Sequence, residues 1–121
     1  MSKKILVVDD EKDLAFLMVE TLKTEGYEVI STTNAPQGLE LAVKKHPDLI
    51  VLDVMMPVIN GYNFCRLLKS QPQLKHIPVI LVTSRIEDID KQIGKEVGAD
   101  AYITKPFASE VLLRKVKELV H

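Results

Sequence analysis

The stretch His46–Pro57, HPDLIVLDVMMP, decides the fold. Its His-Pro pair and Asp48 end whatever helix precedes them, because the residue before a proline is driven out of the helical region. Four apolar residues follow without a break, Leu49-Ile50-Val51-Leu52. The run does not alternate with polar residues, so neither of its faces meets water. That marks a central strand of a parallel sheet covered on both sides. One carboxylate, Asp53, stands immediately after the run. An acid there lies at the carboxyl end of its strand, where open α/β sheets hold their ligands.

The same pattern recurs on both sides of this stretch. Ile5–Val8 and Val79–Val82 are further unbroken apolar runs, and Ala101–Ile103 is a shorter one. Glu28–Thr32 is more polar, as expected nearer a sheet edge. Helices fill the intervals. Leu14, Leu17, Met18, Thr21 and Leu22 recur at helical spacing, and Gly26 is placed to end that helix. Asn34 can cap the next one, with Pro36 in its first turn, Gln37 at the capping-box position, and Leu39, Ala42 and Val43 facing inward. Tyr62–Ser70 forms a helix through Phe64, Leu67 and Leu68. A helix over about residues 87–97 has only a thin stripe, Ile86, Ile89, Ile93 and Val97, and contains Gly94; Gly98 ends it. Ser109–Val120 closes the chain as an amphipathic helix. Five strands alternating with five helices give a doubly wound α/β domain, with a parallel sheet, helices on both faces and right-handed crossovers.

The 121 residues form one domain, 1–121, large enough for a core without metal or disulfide staples. A net charge of −1 and a pI near 6.3 supply no basic footprint for nucleic acid. The single cysteine, Cys65, excludes an internal disulfide, and no apolar run approaches a membrane span. A cytoplasmic location is the simplest expectation. Cys65, Phe16 and Tyr27 are expected to pack rather than react.

The residues that follow the strands carry the chemistry. Asp9 and Asp10 follow the first, Asp53 the third, Thr83 and Ser84 the fourth, and Lys105 the fifth. All these ends emerge on one edge of a parallel sheet, so three carboxylates, hydroxyls and an ammonium converge. Clustered carboxylates raise one another's pKa, and a hard cation such as Mg²⁺ relieves that conflict. An Asp beside a cation and a Lys is a competent nucleophile toward phosphorus. Metal and Lys would neutralise the oxygens of the transferring group, which is most of what phosphoryl transfer requires.

The chain closely resembles the response-regulator receiver domain of two-component signalling. The resemblance rests on ILVVDDE at Ile5–Glu11, PDLIVLDVMMP at Pro47–Pro57, Gly61, PVILVTS at Pro78–Ser84 and GADAYITKPF at Gly98–Phe107. It implies a flavodoxin-like fold with strand order 2-1-3-4-5. It also implies that Asp53 accepts a phosphoryl group from a sensor histidine kinase's phosphohistidine. Mg²⁺ would be bound by Asp10, Asp53 and the Met55 carbonyl, with Asp9 acting through a metal-bound water. Lys105 would pair with the phosphoryl group. Thr83 would swing toward it, and Tyr102 would turn inward. The Lys105–Pro106 bond would be cis. The chain would be a signalling switch rather than a turnover enzyme, passing its state through the fourth helix, fifth strand and fifth helix to an output domain or effector.

Met55 and Arg85 border the phosphate in this family, and neither suits the orienting of an attacking water, so a long-lived phosphoryl group is expected. These residues and GADAYITKPF look most like receivers of winged-helix DNA-binding regulators. Such receivers dimerise through ion pairs, for which Lys91, Asp100, Glu110 and Arg114 are the candidates; Ala101 stands where that subgroup commonly has an acid. A haloacid-dehalogenase-type phosphohydrolase needs a second acid where Met55 stands. A nucleotide-binding module needs a Gly-rich phosphate loop that the chain lacks.

Overall fold

The structure, a computed structural model, describes residues 2–84 and 88–120, with backbone only at Asp88 and Ile89. Strands β1 (Lys4–Val8), β2 (Glu28–Thr32), β3 (Leu49–Asp53), β4 (Val79–Thr83) and β5 (Ala101–Thr104) alternate with helices α1 (Lys12–Thr24), α2 (Ala35–Lys45), α3 (Gly61–Lys69), α4 (Asp88–Glu96) and α5 (Ser109–Leu119). All pairings are parallel and the order is β2-β1-β3-β4-β5, so the polar β2 lies at an edge. The fold is flavodoxin-like.

The unbroken apolar runs are explained by two cores, one on each face. Leu6, Val8, Ile50, Leu52, Val79 and Leu81 pack with Ala42 of α2, and with Phe64, Cys65 and Leu68 of α3. Their alternating neighbours Ile5, Val7, Leu49, Val51, Ile80 and Val82 pack with Met18 and Leu22 of α1 and with Leu112 and Val116 of α5. Each of these side chains leaves water almost completely, at about 2 kcal/mol for a full-sized aliphatic group.

Helix ends follow local chemistry. Asn34 accepts from the Gln37 N–H at 2.9 Å, and Asn60 does the same for Asn63. The Gln37 side chain does not complete a capping box; its Oε1 accepts from the Thr32 hydroxyl at 2.6 Å, and that hydroxyl accepts from the Asn34 N–H. Gly26 and Gly98, at φ +86° and +91°, end α1 and α4.

Four apolar residues depart from expectation. Leu17 of α1 is 58% exposed and Phe16 66%. The helix lies on the sheet through Ala15, Met18 and Leu22, and both residues project roughly 120° or more away from that stripe. Val43 and Leu67 are also exposed, not inward. Val43 lies roughly 100° past Ala42, beyond the narrow face that α2 presents. Helical spacing marks a candidate face, whereas the sheet covers only part of it. The expected start of α4 at Glu87, the stripe residue Ile86 and the Ile89 side chain lie outside the described residues.

Candidate functional site

Strand register places the site. Val8 pairs with Leu52, so Asp9 ends up level with Asp53. Asp53 pairs with Val82, which brings Thr83 one step beyond it. Thr83 pairs with Thr104, and the Lys105 N–H donates to the Thr83 carbonyl at 2.8 Å. Residues that lie up to 96 positions apart in the numbering, 9 to 105, thus meet at one edge.

Asp9 is fully buried, Asp53 nearly so, and Asp10 exposed. One carboxylate oxygen from each lies within 4.8 Å of the others. Asp53 Oδ1 accepts from the Met55 N–H and from Lys105 Nζ, both at 3.3 Å. Lys105 Nζ also lies 3.5 Å from Asp9 Oδ2 and 3.0 Å from Glu11 Oε1. Asp9 Oδ1 accepts from the Glu11 N–H at 2.9 Å. Asp9 Oδ2 is buried and has no hydrogen-bond partner among the described residues.

Crowding shows in the proton affinities. Burial, the Asp10 hydrogen bond and the Asp9 charge push the Asp53 carboxyl up to about 6, against the pull of Lys105. Burial, with the neighbouring Glu11 and Asp10, raises Asp9 as well. Burial would lower Lys105, but the Glu11 bond and the charges of Asp9 and Asp53 outweigh it and leave it raised. Among the described residues one ammonium therefore serves three carboxylates, and the buried Asp9 Oδ2, which has no hydrogen bond, points to room for a second cation. Oxygen-only donors on two strand ends are what a hard divalent ion takes.

Sequence reasoning left two supports of this site without a role. Glu11 is the closest partner of Lys105, but it read only as part of an acidic run. Gly61 packs on the backbone that carries Asp53; a Cβ there would lie 2.6 Å from the Asp53 carbonyl oxygen and 2.8 Å from Val54 Cα. Its N–H donates to the Val54 carbonyl at 2.9 Å, folding the loop back.

The other expected residues are placed as follows. Thr83 is buried at the end of β4, with Ser84 exposed beside it. Met55 is 61% exposed at the mouth of the site, and Arg85 lies outside the described residues. The Lys105–Pro106 peptide is cis. Tyr102 is half-buried and packs against the core shared by α2, α3 and α4. Its hydroxyl donates to the Asp90 carbonyl and lies 3.1 Å from the Tyr62 hydroxyl. Lys91, Asp100, Glu110 and Arg114 are exposed. Asp100 is already engaged within the chain, accepting from the Val79 N–H at 2.8 Å and facing Lys69 Nζ at 3.7 Å. Cys65 is buried, and burial pushes its thiol up to about 11, as suits a packing residue. An open groove of about 560 Å³ runs from Glu11 and Lys105 between α1 and α5, past Leu14, Leu17, Pro106 and Phe107.

A doubly wound domain with carboxylates and a lysine gathered at the carboxyl edge of β1, β3 and β5 defines an acidic-site α/β switch. The chain belongs to the response regulator receiver domain family, whose model matches residues 5–117, and it is a receiver domain of two-component signalling. It is 41% identical over 120 residues to the alkaline phosphatase synthesis transcriptional regulatory protein PhoP of Bacillus subtilis. That match takes in 99% of the chain and 49% of PhoP, so the chain spans about half the length of that relative. Among solved structures it is similar to chemotaxis protein CheY4 of Vibrio cholerae, with 34% identity, a TM-score of 0.94, and 98% of this chain and 99% of that one covered. It is also similar to the receiver domain of a Pseudomonas aeruginosa sensor histidine kinase, solved with a magnesium ion in its active site cleft. There the identity is 25% and the TM-score 0.90, over 99% of this chain and 98% of that one. Among the described residues no helix is long and apolar enough to cross a membrane.

Proposed function

We propose that Asp53 is the phosphoacceptor of this receiver, taking its phosphoryl group from the phosphohistidine of a sensor histidine kinase. The observation that carries this is the meeting of Asp9, Asp10 and Asp53 within 4.8 Å, with Lys105 beside Asp53. In the transfer, an Asp53 carboxylate oxygen attacks phosphorus, the bond from phosphorus to the donor imidazole nitrogen breaks, and that nitrogen keeps the electron pair. Lys105 neutralises an oxygen of the transferring group, and Thr83, one step beyond Asp53 on the next strand, donates to another.

Asp9, Asp10, Asp53 and the Met55 carbonyl are the groups that would hold Mg²⁺. When bound, the ion supplies positive charge to the carboxylates and to the incoming phosphoryl group. The buried Asp9 oxygen without a hydrogen bond supports that fit. The groove between α1 and α5 opens beside Lys105 and exposes Leu17, which suits a helical donor protein that must bring its imidazole to Asp53.

Tyr102 reports the state of the site to the surface formed by α4, β5 and α5, and an output domain or effector reads that surface. Met55, flexible and apolar at the mouth, does not orient water, which favours a long-lived phosphoryl group. The domain is a switch in the cytoplasm, and a phosphorylation-dependent dimer through Lys91, Glu110 and Arg114 is one form the output takes. Asp100 enters that dimer only if it gives up its contacts with Val79 and Lys69.

The test is incubation with acetyl phosphate, or with beryllofluoride, in the presence of Mg²⁺. Intact mass and sizing of the native chain are compared with Asp53→Asn. A mass gain of one phosphoryl group that is lost in Asp53→Asn is expected; equal labelling of both chains removes Asp53 from the role.

A further inference from the structure

We infer that Tyr62 and Gly94 form a seat that holds the Tyr102 ring inward and sets the resting bias of the α4–β5 surface before any phosphoryl group arrives. The inference rests on the reading of Tyr102 as the reporter of the site.

Two features of the seat are independent. The first is space. Gly94 lies in α4 with the Tyr102 ring directly over it, and a Cβ at position 94 would overlap Cε2 and the hydroxyl oxygen of Tyr102. Real side chains do not approach so closely, so a single methyl group there and the inward ring exclude one another. Glycine inside a helix forgoes stability relative to alanine. In this helix the omission makes the cleft that the ring occupies.

The second feature is polar. An inward tyrosine carries its hydroxyl into half-buried surroundings and needs partners there. Tyr102 donates to the Asp90 carbonyl. Tyr62 supplies the other contact, its hydroxyl 3.1 Å from that of Tyr102 and 3.4 Å from Asp90 Oδ1. Asp90 is itself buried, so the two hydroxyls and the carboxylate tie α3, α4 and β5 together at one point. Burial first, and then the Tyr62 hydrogen bond, hold the Tyr102 phenol in its neutral form. Tyr62 and Gly94 touch neither Asp53 nor Lys105 among the hydrogen bonds and ion pairs described, so they act on Tyr102 and not on phosphoryl chemistry.

The experiment compares the native chain with Gly94→Ala and Tyr62→Phe, all unphosphorylated. NMR cross-relaxation is followed between the Tyr102 ring protons and those of residues 62 and 94. Strong contacts are expected in the native chain. Gly94→Ala abolishes them and moves the ring to solvent, while thermal unfolding shows the fold intact. Tyr62→Phe, which keeps its ring and loses only the hydroxyl, lowers the inward-to-outward ratio about fivefold, the equivalent of one ordinary hydrogen bond. Undiminished Tyr102 contacts in both variants overturn the seat. Beryllofluoride with Mg²⁺ separates the two readings. If the native chain forms no Asp53 adduct, the phosphoacceptor role falls, while the cross-relaxation result still decides the seat.

Discussion

Lys105 Nζ stands 3.3 Å from Asp53 Oδ1, although 52 residues separate them in the chain. The pairing is the electrostatic centre of the site, because Lys105 is the cation that faces both Asp9 and Asp53. An opposite charge at this range lowers a carboxyl by one unit or more. Lys105→Met therefore raises the Asp53 midpoint from about 6 by roughly one unit. Carbon-13 NMR titration of the Asp53 carboxyl, without metal, reads it directly. An unmoved midpoint would show that Lys105 does not govern Asp53.

The raised Asp53 also makes folding stability depend on pH. Its carboxyl is pushed from the ordinary 3.8 to about 6, so the folded chain holds that proton more tightly than the unfolded chain does. The resulting stabilisation is present in full below the unfolded value and is lost as pH rises through about 6. Asp9 is shifted in the same direction and adds to it. Lys105, also raised, loses its contribution only in the alkaline range and stays out of this window. The metal-free chain is thus weaker at pH 8 than at pH 5 by on the order of 2 kcal/mol. Urea unfolding at the two values checks this. Asp53→Asn flattens the dependence, and millimolar Mg²⁺ restores stability at pH 8 to the native chain but not to the variant.

Gly61 bears on the loop that carries Asp53. A methyl group there meets the Asp53 carbonyl oxygen and Val54 Cα, backbone atoms that cannot rotate away. Gly61→Ala is expected to cost roughly 2 kcal/mol, in the range of overpacking. It also slows labelling of Asp53 by acetyl phosphate, since relief comes only from moving that backbone. Denaturation paired with labelling rates tests both effects; full stability together with full rate would contradict the close approach.

Val58 lies in the same loop with φ +71° and 89% of its surface exposed. A β-branched residue is poorly suited to the left-handed region, and this one has little packing to lose. Val58→Asn is expected to stabilise the domain by about 1 kcal/mol. A lower midpoint in thermal unfolding would mean that the side chain makes contacts worth more than the backbone relief.

Much of this molecule is legible in local pattern. Unbroken apolar runs located β1, β3 and β4 because both sheet faces are covered, and Asn34, Gly26 and Gly98 located helix ends through the backbone groups they satisfy or the φ they accept. Patterns failed where a neighbour's position mattered. Leu17, Val43 and Leu67 satisfy helical spacing yet face outward, since spacing does not say how wide a stripe the sheet covers. Gly94 read as a weakness in a thin helix, when the Tyr102 ring lies where its Cβ would be. Glu11 read as one acid among three, when its carboxylate is the closest partner of Lys105.

The opening stretch marks the division. His46–Pro57 by itself determined that a strand buried on both faces ends in a carboxylate, because burial and periodicity act on neighbouring residues and leave their mark in the chain. What that carboxylate faces was decided only by tertiary structure. The strand order and the register of four parallel pairings bring Asp9 level with Asp53, place Thr83 one step beyond, and carry Lys105 in from the fifth strand. Distances across a sheet depend on how crossovers pack, and electrostatic interaction at a few ångströms depends on those distances. Proton affinity, the Gly61 contact and the Tyr102 seat therefore belong to the folded molecule.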